Sequence, residues 1–265
     1  AGGKVPTAQL GGGTANSTTF LRGDQTYAVP SGGPTVGTYG SRGQVSKNNA
    51  TTPDTQFDLD ADVVILINSS NELVVRYNPG AAITNNTATA GPAANGRDQA
   101  GAFSAATWIH FYWIWDGATL ATLSSLTAPP TGPTLPTGYT HWAYAGAVYY
   151  TASSTLMKVR IMGNKAYYEA ERNELNAGSA LIETAVSMLV PPNALAVQLN
   201  GYLRAGTSTT AIDQWGKLRF ISGVDYFYLR RFIGAIINAP STAHPFSIWI
   251  PNVGQQFYYL VSDLE

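Results

Sequence analysis

Residues 107–150 read TWIHFYWIWDGATLATLSSLTAPPTGPTLPTGYTHWAYAGAVYY, and this stretch decides the fold. Trp108, His110, Tyr112 and Ile114 share one parity and Ile109, Phe111, Trp113 and Trp115 the other, so an extended strand carries large side chains on both faces. Such a strand is expected to be buried on both sides. Asp116-Gly117 is a turn pair, and Leu120, Leu123 and Leu126 resume the apolar run until Ala128-Pro129-Pro130-Thr131-Gly132-Pro133 ends it. The spacing predicts a hairpin followed by an irregular, proline-rich crossing. The chain then returns through Tyr139, Trp142, Ala143, Gly146, Ala147, Val148 and Tyr149, where small residues permit a neighbouring backbone to come close beneath aromatic rings.

Upstream of this centre, Phe57, Leu59 and Val63 to Ile67, then Leu73 to Val75 and Tyr77 after Asn68-Ser69-Ser70-Asn71, predict a hairpin with a polar four-residue loop. Residues 78–104 are Gly, Ala, Asn and Thr, which reads as a long surface loop, a candidate contact region with Asn95-Gly96 as its tight turn. Downstream, Leu156, Lys158, Arg160 and Met162 alternate with Met157, Val159 and Ile161, the pattern of a half-exposed strand. Residues 167–175 are the most charged piece, able to form a helical turn or two and placed as the junction between domains. The second half runs through Leu181, Ile182, Val186 and Val190, breaks at Pro191-Pro192, and continues as alternating Leu195, Val197 and Leu199, followed by short strands near residues 218–221, 226–229, 233–237, 246–250 and 256–261. Short strands at this spacing argue for a sandwich or barrel.

Composition bounds the partners. Hydrophobic residues make up 45% of the 265, enough for one large core or two ordinary ones, whereas charged residues are only 12%, about half the usual share. A surface of Thr, Ser, Asn, Gln, Gly and Ala suits assembled or fibrous β-proteins, whose identical neighbours must not repel. The net charge is −1 and the longest basic run is Arg230-Arg231, so no nucleic-acid footprint is expected. With no cysteine there is neither a disulfide nor a thiolate nucleophile. No apolar run reaches the roughly 20 residues of a membrane helix, and AGGKVPTAQLGGG lacks signal-peptide features; a soluble chain without membrane insertion is expected.

Residues 1–45 hold three Gly clusters with Pro6, Pro30 and Pro34, a spacing through which no helix persists. The segment reads either as a linker or as an extended arm lying against a partner chain, with Phe20, Leu21 and Tyr27 as its attachment anchors. Within it, Thr18-Thr19-Phe20-Leu21-Arg22-Gly23-Asp24, then Tyr27 and Pro30-Ser31-Gly32-Gly33, resembles a phrase of bacteriophage tail-fibre and adhesin proteins. That family usually has Gly and then Trp after the Asp, where this chain has Gln25 and Tyr27. Thr107-Trp108, Trp115-Asp116-Gly117, Pro133-Thr134-Leu135-Pro136-Thr137-Gly138-Tyr139-Thr140, Gly146-Ala147-Val148, Val190-Pro191-Pro192 and Gln255-Gln256-Phe257-Tyr258-Tyr259 are similar to further phrases of the same group. The resemblance implies a virion structural protein in which the arm joins a trimeric stalk to the next domain. It also accounts for Arg22-Gly23-Asp24 without an integrin.

Chemistry is sparse. His110, His141 and His244 are the only imidazoles and have no ligand-type spacing, so no metal site is expected. No G-x-S-x-G, G-x-G-x-x-G or P-loop occurs, and no cofactor is expected. Asp54, Asp58, Asp60 and Asp62 form the densest acidic cluster, yet beside turns carboxylates usually cap or stay solvated. Sugar recognition uses exposed rings with polar groups around them, and the rings in turn-rich surroundings are Tyr139, His141, Trp142 and Trp215, the candidate glycan-binding residues.

The expected architecture is all-β: an extended arm (1–45) followed by two β-sandwich or jelly-roll-like domains (46–175 and 176–265). The expected function is a non-enzymatic phage tail fibre or receptor-binding adhesin, a homotrimer attached to other virion proteins and contacting bacterial surface polysaccharide. The alternative is a capsid decoration or head-fibre protein on the shell exterior. A glycan hydrolase is the third reading, and it requires paired carboxylates converging in a cleft.

Overall fold

The computed structural model describes residues 20–21, 27–28, 40–77, 81–170, 172, 174–175, 182–204, 212–224, 227–233 and 243–264; for strand residues 20–21, 27–28, 202–204, 212–215, 227–233, 243–244 and 262–264 it describes the backbone. The chain is all-β, with no helix among the described residues. In chain order the strands are β1 (Phe20–Leu21), β2 (Tyr27–Ala28), β3 (Ser41–Arg42), β4 (Val45–Asn48), β5 (Gln56–Leu59), β6 (Val63–Ile67), β7 (Leu73–Tyr77), β8 (Ile83–Asn86), β9 (Gly96–Arg97), β10 (Thr107–Trp115), β11 (Leu120–Ser125), β12 (His141–Tyr150), β13 (Val159–Met162), β14 (Lys165–Tyr168), β15 (Thr184–Ser187), β16 (Ala196–Arg204), β17 (Ile212–Arg219), β18 (Phe227–Ile233), β19 (Ala243–Pro251) and β20 (Gln256–Leu264). Two compact units divide near Tyr167 and Tyr168, inside the charged stretch, with Ala147–Tyr149 of β12 grouped with the second.

The first unit is built on β10. Every residue from Ile109 to Trp115 is buried, as rings on both parities require, and β11 pairs with it through the turn at Asp116. Asp116 Oδ1 fixes that turn by accepting from the amides of Ala118 and Thr119 at 2.7 and 2.6 Å. The sheet order is β3-β6-β12-β10-β11-β9, with β7 on the other edge of β6. A five-stranded sheet, β14-β13-β4-β5-β8, packs against one face of it. Phe57 of β5 meets Phe111 of β10 with ring centroids 4.7 Å apart, and Gln44 Nε2 donates to the Ala145 carbonyl of β12 at 2.6 Å. Burying each such ring contributes about 1.5–3 kcal/mol. At Gly146 the close neighbour is a side chain: a Cβ there would lie 2.5 Å from Ile161 Cδ1. Strand β13 is half-exposed as its alternation predicts, with Val159 and Ile161 buried and Arg160 and Met162 outward.

Within residues 78–104, expected to be a surface loop, the described part (81–104) departs from that expectation. It supplies β8 to the five-stranded sheet and β9, parallel to β11, to the seven-stranded one, while residues 78–80 lie outside the described residues. Asn85, Thr87, Arg97 and Asp98 are buried. Hydrogen bonds substitute here for apolar side chains. Asn85 Nδ2 donates to the Gly96 carbonyl (3.0 Å), and Arg97 donates to the carbonyls of Thr87 (2.8 Å) and Ala100 (3.1 Å). Asn95, with φ 59°, accepts from Thr122 N (2.9 Å) and Thr122 Oγ1 (3.1 Å) through one side-chain oxygen.

The second unit has a four-stranded sheet, β15-β20-β17-β18, and the β16–β19 pair. Its core is Val186, Met188, Val190, Ile250, Phe257 and Tyr259, against which Val197 and Leu199 of β16 and Ile248 of β19 pack. Strand β16 keeps the expected wet face, with Ala196, Gln198 and Asn200 exposed. Strand β17 begins earlier than the sequence suggested, because Asp213, Gln214 and Lys217 are strand residues and not turn residues.

Candidate functional site

The proline-rich crossing between β11 and β12 returns over the face of β10 that carries Tyr112 and Ile114. Together with Ala121 and Leu123 these side chains form a buried cluster on which Leu135, Tyr139, Trp142 and Tyr144 rest. The Tyr112 hydroxyl anchors the crossing by donating to the Thr127 carbonyl at 2.5 Å, and the Thr140 amide donates to the Trp115 carbonyl at 3.1 Å. Burial and nearby acidic and phenolic groups push the Tyr112 phenol far up, so it stays a donor. Trp142 is then fixed from two sides. Tyr112 meets it edge-on at 5.5 Å and 85°, and Gly132, at φ 77°, sits so close that a Cβ would fall 2.7 Å from the indole Cζ2.

The pairing of Trp142 with Ile67 brings the crossing beside the β6–β7 turn. Between them lies a groove of about 610 Å³, walled by Ile67 to Asn71 on one side and by Pro130, Thr131, Leu135, Tyr139, Thr140 and Trp142 on the other. The turn wall is rigidly held. Asn68 Oδ1 accepts from the amides of Ser70 and Glu72, each at 2.9 Å, its Nδ2 donates to Glu72 Oε2 at 2.6 Å, and Asn71 takes the left-handed conformation at φ 62°. Asn68 is therefore spent on the turn. The side chains of Ser70, Asn71 and Thr131, the Tyr139 hydroxyl and Trp142 Nε1 make no hydrogen bond among the described residues. Burial, and secondarily Asp116, raises the Tyr139 pKa, so its phenol is protonated at neutral pH.

The arrangement joins two half-buried rings to hydroxyl and amide groups with free hydrogen-bonding capacity. It suits a ligand with an apolar face and a hydroxylated rim. Among the described residues, no Asp, Glu, His, Lys or Arg lines it.

Of the sequence-selected residues, Tyr139 and Trp142 come together in this groove. His141 is adjacent but does not line it; its Nδ1 lies 2.9 Å from Thr140 Oγ1. Trp215 lies within β17, paired with Arg230 and Ser262, and not in turn-rich surroundings; its side chain is outside the described residues. Of the arm residues, Phe20 and Leu21 pair with Ala28 and Tyr27 in a short antiparallel ladder, and their side chains are likewise outside the described residues. Ser70, Asn71 and Thr131 were missed as site residues. Their only signal is a polar turn after a β-branched run, and nothing in the sequence couples positions 67–71 to 130–142.

The other candidates have structural partners. His110 is buried, with Nδ1 3.1 Å from the Tyr144 hydroxyl, and desolvation lowers its pKa to about 4. Asp58 accepts from Asn49 Nδ2 at 3.0 and 3.1 Å and from Thr84 Oγ1 at 2.7 Å. Among the described residues, no group of three or more His, Asp or Glu side chains is placed to hold a metal. Comparison of the chain with protein-family profiles, with curated proteins and with solved structures finds no match.

Proposed function

We propose that this chain is a bacteriophage virion structural protein, a tail-fibre or receptor-binding adhesin that uses the Tyr139–Trp142 groove to contact carbohydrate on a bacterial surface. The observation that carries the reading is the groove itself: Tyr139 and Trp142 held beside the unpaired side chains of Ser70, Asn71 and Thr131. The 12% charge content and the resemblance of the arm and crossing phrases to fibre proteins support placement in an assembly. In this role the protein is a homotrimer, bound to other virion proteins through the arm around Phe20, Leu21 and Tyr27. A single groove of weak affinity becomes effective by repetition, because linked copies raise the effective concentration at the surface.

The test is binding of the labelled full chain to a panel of bacterial strains and to their purified surface polysaccharides. Saturable binding that Tyr139→Ala weakens by about tenfold supports the adhesin, since truncating a central aromatic commonly costs at least about 1–2 kcal/mol. Binding to phage shells with no binding to any strain would establish the capsid-decoration alternative instead.

A further inference from the structure

The groove's charge pattern specifies its ligand more narrowly, provided that it is a carbohydrate site. Among the described residues, its lining carries no ionisable group other than the Tyr139 phenol. Among the described residues, carboxylates are tied to both walls. Glu72 is hydrogen-bonded to Asn68 of the turn at 2.6 Å, and Asp116, held at its turn by two amides, acts electrostatically on Tyr139. Arg76, on β7 beyond the turn that holds Glu72, is engaged elsewhere: its guanidinium lies 4.0 Å from the ring centre of Trp115, a residue of the opposite parity to Tyr112 and Ile114. An anionic ligand would meet these like charges, with no Lys, Arg or His among the described lining residues to offset them.

We infer that the groove selects uncharged saccharides and rejects uronic, sialic and phosphate-bearing ones. The indole of Trp142 and the ring of Tyr139 supply the apolar contact that a pyranose face requires, which an added carboxylate leaves intact. Discrimination therefore comes from Glu72 and Asp116. The free donors and acceptors at Ser70, Asn71 and Thr131 match neutral ring hydroxyls, which both give and take hydrogen bonds.

The experiment titrates the full chain, at mildly alkaline pH and moderate salt, with matched oligosaccharide pairs that differ only at C6: galactan against oligogalacturonate, and glucan against oligoglucuronate. Sialyllactose and a glycerol-phosphate oligomer complete the panel. The expected result is that a neutral member binds at least about tenfold more tightly than its acidic counterpart. Trp142→Ala should abolish this binding. Because Trp142→Ala can disturb the fold, Asn71→Gly provides a second test, removing the amide while keeping a residue at ease with φ 62°. The combined variant Glu72→Gln/Asp116→Asn should raise the acidic ligand relative to the neutral one by about tenfold, a change that a purely structural role for these carboxylates does not produce. Tighter binding of an acidic member, lost in Asn71→Gly, would overturn the charge assignment and leave the carbohydrate site standing. Binding by no member of the panel would overturn both.

Discussion

Replacing Trp113 tests the architecture at its densest point. The side chain has no exposed surface, lies opposite Thr122 across the β10–β11 ladder, and carries an indole Nε1 without a hydrogen-bond partner among the described residues. Trp113→Ala removes a fully buried ring, a change that ordinarily costs about 3–5 kcal/mol. Loss of the unpaired donor returns about 1–2 kcal/mol of desolvation penalty, so the net cost should be about 3 kcal/mol. Trp113→Phe separates the two effects. It forfeits only part of the ring, about 1–2 kcal/mol, and discards the same unpaired donor, so its stability should fall within about 1 kcal/mol of the parent. Equilibrium urea unfolding followed by far-ultraviolet circular dichroism avoids the fluorescence change that any Trp substitution causes. An unchanged midpoint for Trp113→Ala would place the ring on the surface. A loss of about 3 kcal/mol or more for Trp113→Phe would mean that the indole nitrogen is satisfied after all.

Asn95→Ala should cost about 2 kcal/mol, because it leaves the buried Thr122 amide and hydroxyl without their acceptor; Asn95→Gly, which relieves the φ of 59°, should recover only the backbone part of that loss. His110 has a pKa of about 4 in the folded chain against an ordinary 6.5, so the unfolded chain binds the proton first. Stability should be complete above about pH 6.5 and fall by up to about 3 kcal/mol towards pH 4, and His110→Gln should flatten that slope in pH-dependent unfolding. Equilibrium sedimentation of the full chain at micromolar concentration should give a trimer; a monomer would remove the stalk role of the arm.

The strands around β10 were legible because tertiary burial left a local record. Large side chains on both parities of residues 108–115 admit no solvent-facing side, and Asp116-Gly117 marks the reversal. Residues 81–104 were misread for the converse reason. Asn85, Thr87 and Arg97 look like loop residues in sequence, and only hydrogen bonds to carbonyls near in space make them suitable for burial. The groove was half legible. Tyr139 and Trp142 stand out as rings among turn residues, but the facing wall comes from a turn about seventy positions earlier and is joined to them by one strand pairing, between Ile67 and Trp142. Trp215 misled because its polar neighbours Asp213, Gln214 and Lys217 mimic a turn, whereas in β17 they are part of a two-sided ladder.

The central claim is that the groove beside Trp142 is where the protein meets its ligand. Following the six indole N–H resonances of the full chain by two-dimensional NMR during titration with a neutral surface oligosaccharide tests it most directly, since Trp142 Nε1 is a groove donor with no partner among the described residues while Trp113 Nε1 is enclosed. The account predicts that the Trp142 signal, assigned by its loss in Trp142→Phe, shifts saturably with the binding isotherm and that the Trp113 signal stays in place. Saturable binding that leaves the Trp142 resonance unmoved would contradict it.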